Sequence, residues 1–80
     1  MTLSALDVRA AVVRRWEDHP APIAFRIGAI RGDADVWVVE VSISHDGGPW
    51  EQVVHVLVFE DGRLVRETVC PAPSRSSSSR

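Results

Sequence analysis

The sequence predicts an α+β fold, one N-terminal helix packed on a four-stranded antiparallel meander, and three observations carry that reading. Ala5 to Asp18 is built of helix formers at helical spacing, with no Gly or Pro. Turn clusters at Gly32-Asp33-Ala34-Asp35, Asp46-Gly47-Gly48-Pro49 and Glu60-Asp61-Gly62-Arg63 then divide the rest into four runs rich in β-branched and aromatic residues. The last turn puts Asp-Gly between two such runs, among the strongest short-range hairpin signals.

The helix opens at Ser4, with Asp7 three residues on in the pattern of a capping box. At 100° per residue Ala5, Leu6, Val8, Val12, Val13 and Trp16 share one broad face, with Arg9 projecting among them and Asp7, Arg14, Arg15 and Asp18 opposite. His19-Pro20-Ala21-Pro22 ends it, because proline neither continues the ladder nor lets its predecessor stay helical. Ile23 to Arg31 alternates as a strand in which Gly28 is the position for a bulge. Val36 to His45 is the second strand, Trp50 opens the third, and the fourth runs to Val69. The domain is thus residues 4–70, and residues 71–80, rich in Pro, Ser and Arg, read as a disordered tail.

Composition narrows the function classes. An 80-residue chain with 45% apolar and 25% charged residues is an ordinary globular composition, yet a core this small is marginal without a partner. A net charge of −2 gives no electrostatic footprint for nucleic acid or anionic membrane. One cysteine, Cys70, cannot form an intrachain disulfide, so a reducing cytoplasm suits the chain. The N-terminus lacks the basic and apolar stretches of a signal peptide. His19, His45 and His55 have no ligand spacing, so neither metal nor cofactor is expected. Arg31-Gly32-Asp33 spells the integrin tripeptide, which a Gly-Asp turn explains more simply.

Facing residues follow from loop length, because side chains alternate along a strand. With every turn of two or four residues, Ile27 and His55 lie opposite Glu40, His55 opposite Thr68, Leu57 opposite Arg66 and Phe59 opposite Leu64. One face then holds Phe25, Val38, Leu57 and Phe59 around Glu40, His55, Arg66 and Thr68. That is the lining of a small-molecule pocket, to which Arg9 of the helix could add an anion contact. Glu40 and His55 are the candidate catalytic acid/base pair. The other face holds Trp37, Val39, Val41, Ile43, Val54, Val56 and Val58, too apolar for water, and is the expected homodimer interface.

The runs Val36 to Trp50 and Val54 to Val69, and above all the closing hairpin Phe59, Asp61-Gly62-Arg63-Leu64 and Arg66-Glu67, resemble the C-terminal half of the nuclear transport factor 2-like superfamily. The likeness is to its SnoaL-like branch of polyketide cyclases and ketosteroid isomerases. The resemblance implies a curved sheet around a helix, here a truncated cone-like half-barrel, commonly dimeric through the outer sheet face. It implies a deep pocket for a small apolar ligand and puts His55 where the isomerases carry an oxyanion-hole acid. The chain starts near the family's third helix, so no residue corresponds to the isomerase base. Two functions follow: a small-molecule site with isomerase-, cyclase- or hydrolase-type acid/base chemistry, or a non-catalytic dimerisation module that keeps the sheet.

Overall fold

Ser4 and Asp7 close the cap reciprocally. The Asp7 backbone N–H donates to Ser4 Oγ at 3.3 Å and the Ser4 N–H donates to Asp7 Oδ2 at 3.0 Å, so the shorter carboxylate still reaches back to the first turn. Helix α1 (Ala5–Glu17) follows, in a computed structural model that describes residues 3–72. Its buried stripe is Val8, Val12 and Trp16, spaced four apart. That is narrower than the periodicity predicts, for Leu6 is 77% exposed, and Ala5 and Arg9 also face solvent. Basic Arg14 and Arg15 fall in the last turn, where the helix dipole favours positive charge.

Strands β1 (Ile23–Asp33), β2 (Val36–His45), β3 (Trp50–Glu60) and β4 (Arg63–Pro71) form one curved, open antiparallel sheet in the order β1-β2-β3-β4. The α+β architecture is the one expected. The shortest dimension, 18 Å, is the depth of one helix layer on one sheet layer. Val8, Val12 and Trp16 pack on Val39, Val41, Ile43, Leu57 and Phe59, with Phe25, Ile27, Ile30, Trp37 and Val53 around them. Full burial of each large apolar side chain stabilises by about 1.5–3 kcal/mol.

The registers differ from expectation in all three pairings: by one residue between β2 and β3, and by one between β3 and β4 beyond a bulge. Between β1 and β2 they differ by two at the turn, where Asp33 pairs with Val36 and only Ala34 and Asp35 connect the strands, and by one beyond the bulge. Between β2 and β3 the last pair is Ser44 with Trp50, leaving a five-residue connection, His45 to Pro49. Asp46 and Gly47 take positive φ of 51° and 75°, and the Gly48 N–H donates to His45 O at 2.8 Å. The odd count turns β2 over relative to β3. Val39, not Glu40, lies opposite His55.

In the β3–β4 hairpin the two-residue turn is as predicted. Asp61 and Gly62 have φ of 52° and 78°, as a type I′ turn requires, and Phe59 pairs with Leu64. A bulge between Val58 and Phe59 in the pairing then absorbs Val65, so Leu57 faces Glu67 and His55 faces Val69 rather than Arg66 and Thr68. In β1 the bulge falls at Gly28, as read from sequence: Ile27 pairs with Val41 and Ile30 with Val39, so Gly28 and Ala29 share Glu40. The bulge brings Phe25 and Ile27 onto the face of Val41 and Ile43. Pairing also continues past Val69, since Pro71 lies opposite Val53 and the Ala72 N–H donates to Gln52 O at 3.0 Å. The remainder of the expected tail lies outside the described residues.

Candidate functional site

A histidine inside a four-stranded sheet, under helix α1, must find partners for both ring nitrogens. His55 on β3 is fully buried. Its Nε2 accepts from the indole Nε1–H of Trp16 at 2.9 Å, across 39 positions of sequence. An indole N–H only donates, so Nε2 carries the lone pair and Nδ1 carries the proton. That proton is donated to Glu67 Oε2 on β4 at 2.8 Å, and Glu67 Oε1 in turn accepts from Arg15 Nη1 of α1 at 3.3 Å. The rings of Trp16 and His55 meet edge to face, with centroids 5.6 Å apart.

The four residues form a closed chain from helix to β3, to β4 and back to the helix. Among the described residues every buried side-chain nitrogen and oxygen has a partner. Burial holds the His55 pKa below the ordinary imidazole value. Glu67, by hydrogen bond and charge, pulls the other way, and the Arg15 charge adds to the lowering. The ring is therefore a neutral connector between two elements, with no nitrogen open to a ligand.

The predicted pair is not formed. Glu40 lies opposite Val54 on the outer face, while His55 faces the helix, so the two side chains point to opposite sides of the sheet. The physical reason is the odd connection at His45 to Pro49. Of the predicted binding residues, Phe25, Leu57 and Phe59 do share the His55 face, but as members of the core beneath Val8, Val12 and Trp16. Val38, Arg66 and Thr68 are on the outer face with Glu40, and Arg9 is exposed on α1.

The predicted interface divides in the same way. Val39, Val41 and Ile43 are buried against the helix and Trp37 is half-buried beside them, whereas Val54, Val56 and Val58 are on the outer face. Glu67 and Arg15 were absent from the predicted site. Their signal would have been the Val65 bulge, which brings Glu67 to the His55 side, and no residue type at that position announces it.

Trp16 in turn stacks on His19 at a centroid distance of 5.7 Å, and His19 meets His45 edge to face at 6.2 Å. Among the described residues no group of three or more His, Cys, Asp or Glu is placed to hold a metal ion, and no helix is long and apolar enough to cross a membrane. A depression of about 180 Å³ at the β3–β4 turn is lined by Glu60, Asp61, Arg63 and Val65. It is remote from His55, and smaller than the roughly 300–1,000 Å³ usual for ligand sites.

Among the described residues, none forms a layer over the outer face of the sheet. Val36 pairs with Val58 and Val38 with Val56, a block of four valines extended by Val54. Val36 and Val38 are 48% and 36% exposed, and Val54, Val56 and Val58 are half-buried. At its far end Arg26 lies over the Trp50 ring, 4.4 Å from the centroid. No family model, curated protein or solved structure matches the chain.

Proposed function

We propose that this chain is a non-catalytic homodimerisation module, associating through the outer face of its sheet. The observation that carries the reading is the valine block of Val36, Val38, Val54, Val56 and Val58, which no layer of the described residues covers. A contiguous apolar patch on a sheet face is costly in water and is the usual mark of an interface. Four strands of nine to eleven residues offer roughly 600 Å² of face at ordinary sheet spacings. Two copies together reach roughly 1,200 Å², the lower bound for a stable interface. Stacking two sheets would give the small domain a second apolar layer, which its length calls for.

The small-molecule reading is less supported. His55 has both nitrogens engaged, and the apolar residues of the proposed pocket are packed under α1. Membership of the nuclear transport factor 2-like superfamily is part of the proposal; it rests on the closing hairpin and accords with dimers formed through the outer sheet face. So is a reducing compartment, which suits the exposed thiol of Cys70.

Light scattering over about 1–100 μM tests the proposal, since interfaces of this size span micromolar to tighter affinities. The expected mass is twice 8.8 kDa, reduced to 8.8 kDa by Val56→Asp. A wild-type mass of 8.8 kDa throughout would reject it.

A further inference from the structure

Polar contacts tie the helix to the sheet at one end. Among the described residues, the hydrogen bonds joining α1 to a strand are Arg15 Nη1 to Glu67 Oε1 at 3.3 Å and Trp16 Nε1 to His55 Nε2 at 2.9 Å. Both start from the last turn, and both end on the His55–Glu67 pair. Towards the other end Val8 and Val12 hold the helix by apolar packing, and the first turn is closed by Ser4 and Asp7 alone. A second proton on His55 has only Nε2 to go to. There it meets the indole N–H of Trp16, which donates and never accepts. Two donors would face each other at a site fully shielded from water. The groups that face the ring offer no substitute: Val39 of β2 and Val69 of β4 flank it in the ladder, Glu67 of β4 is already at Nδ1, and Arg15 of α1 is a cation. Beyond Trp16 the titratable groups are His19, stacked on the indole, and His45 of β2, which meets His19.

We propose that proton uptake at His55 releases the last turn of α1 from the sheet, so that the Trp16 indole is the bolt of a pH-operated latch. Swinging the indole away lets water reach Nε2, and the imidazolium then has an acceptor on each nitrogen, Glu67 keeping the other. The released state therefore binds the proton better than the latched one, and acid favours release. Burial, which holds the His55 pKa down in the latched state against the pull of Glu67, acts in the same direction. The opening is local. Val8 and Val12 stay seated, the chain after Glu17 runs through Asp18 to Pro22 without helix or strand, and the ladders of β2, β3 and β4 bond strand to strand without the helix. The valine block lies on the opposite face of the sheet and is the same in both states.

Hydrogen exchange followed by NMR reads the latch on the wild-type chain, with the Trp16 indole resonance assigned from Trp16→Phe. Protection of that indole proton, taken relative to free indole at the same pH, should fall about tenfold per pH unit from about pH 6.5 downward, as uptake of one proton by the released state requires. Backbone amides of β2 and β3 should keep their protection over the same range. The indole resonance should pass from its bonded to its free position with the midpoint at which the His55 ring nitrogens convert from the Nδ1–H tautomer to the imidazolium. His55→Gln keeps an acceptor for Trp16 and a donor for Glu67 but does not titrate, so its indole protection should be independent of pH. His19→Gln should respond as wild type, which separates the buried ring from the one stacked on the indole. Indole protection lost only together with the β2 and β3 amides, or indole and imidazole midpoints that differ, overturns the latch on the wild-type chain alone, whether or not His55→Gln folds. A wild-type response in His55→Gln, or its loss in His19→Gln, overturns it equally.

Discussion

The indole N–H of Trp16 and the Nε2 of His55 meet at 2.9 Å with His55 wholly shielded from water, so one hydrogen bond fixes the tautomer of a buried ring and joins the helix to the centre of the sheet. Trp16→Phe keeps much of the apolar volume and removes the donor. The stranded lone pair on Nε2 should cost about 1–3 kcal/mol, in addition to the lost packing. A double-mutant cycle with His55→Leu, followed by urea unfolding, should give a combined loss smaller than the sum of the single losses, because the two residues share one interaction. Additive losses would mean that the bond contributes nothing.

The same ring makes stability depend on pH in a defined direction. The folded-state pKa of His55 is lowered, by burial first. Its contribution is therefore fully present above the unfolded-state value of about 6.5, and is lost as pH falls from there through the folded-state value. Unfolding midpoints in urea should decline over that window. His55→Gln should be less stable at pH 8 yet show a shallower decline. A variant that keeps the wild-type slope would assign the titration to another group.

Gly32 is held to glycine by Trp37, not by its backbone angles. Gly32→Ala would force the indole aside and should cost about 1–3 kcal/mol as an overpacking change. Pairing it with Trp37→Leu should recover most of the loss that Gly32→Ala causes in the wild-type background. Equal losses in both backgrounds would disprove the contact.

At the β3–β4 turn the requirement is conformational. Gly62 has φ of +78°, and a methyl group added there would find nothing within 4 Å, so Gly62→Ala meets no neighbour but must hold a left-handed backbone. A loss of about 1–2 kcal/mol is expected, measurable as a lower thermal midpoint. Gly62→Asn should lose less, since asparagine tolerates that region better.

Much of this architecture is legible in the residues. Ser4 and Asp7 announce the cap, Asp61-Gly62 the two-residue turn with its Phe59–Leu64 pair, and Gly28 the bulge. Sidedness was not legible, because it hangs on parity. A five-residue connection where four were assumed separates Glu40 from His55, and one bulged residue, Val65, brings Glu67 to His55 in place of Thr68. The composition of β2 does not arbitrate. Its residues Val36, Trp37, Val38, Val39 and Val41 are apolar on both faces, so either side could have been read as core.

That ambiguity makes the chain more vulnerable to changes of length than of letter. Shortening the His45 to Pro49 connection by one residue would turn β2 over, lifting Val39 and Val41 out from under the helix and carrying Glu40 beneath it. The inverted hairpin would still present valines to the interior, through Val36 and Val38, and so would have an apolar layer to collapse around. Two sidednesses are written into one strand, and the span of a single loop selects between them.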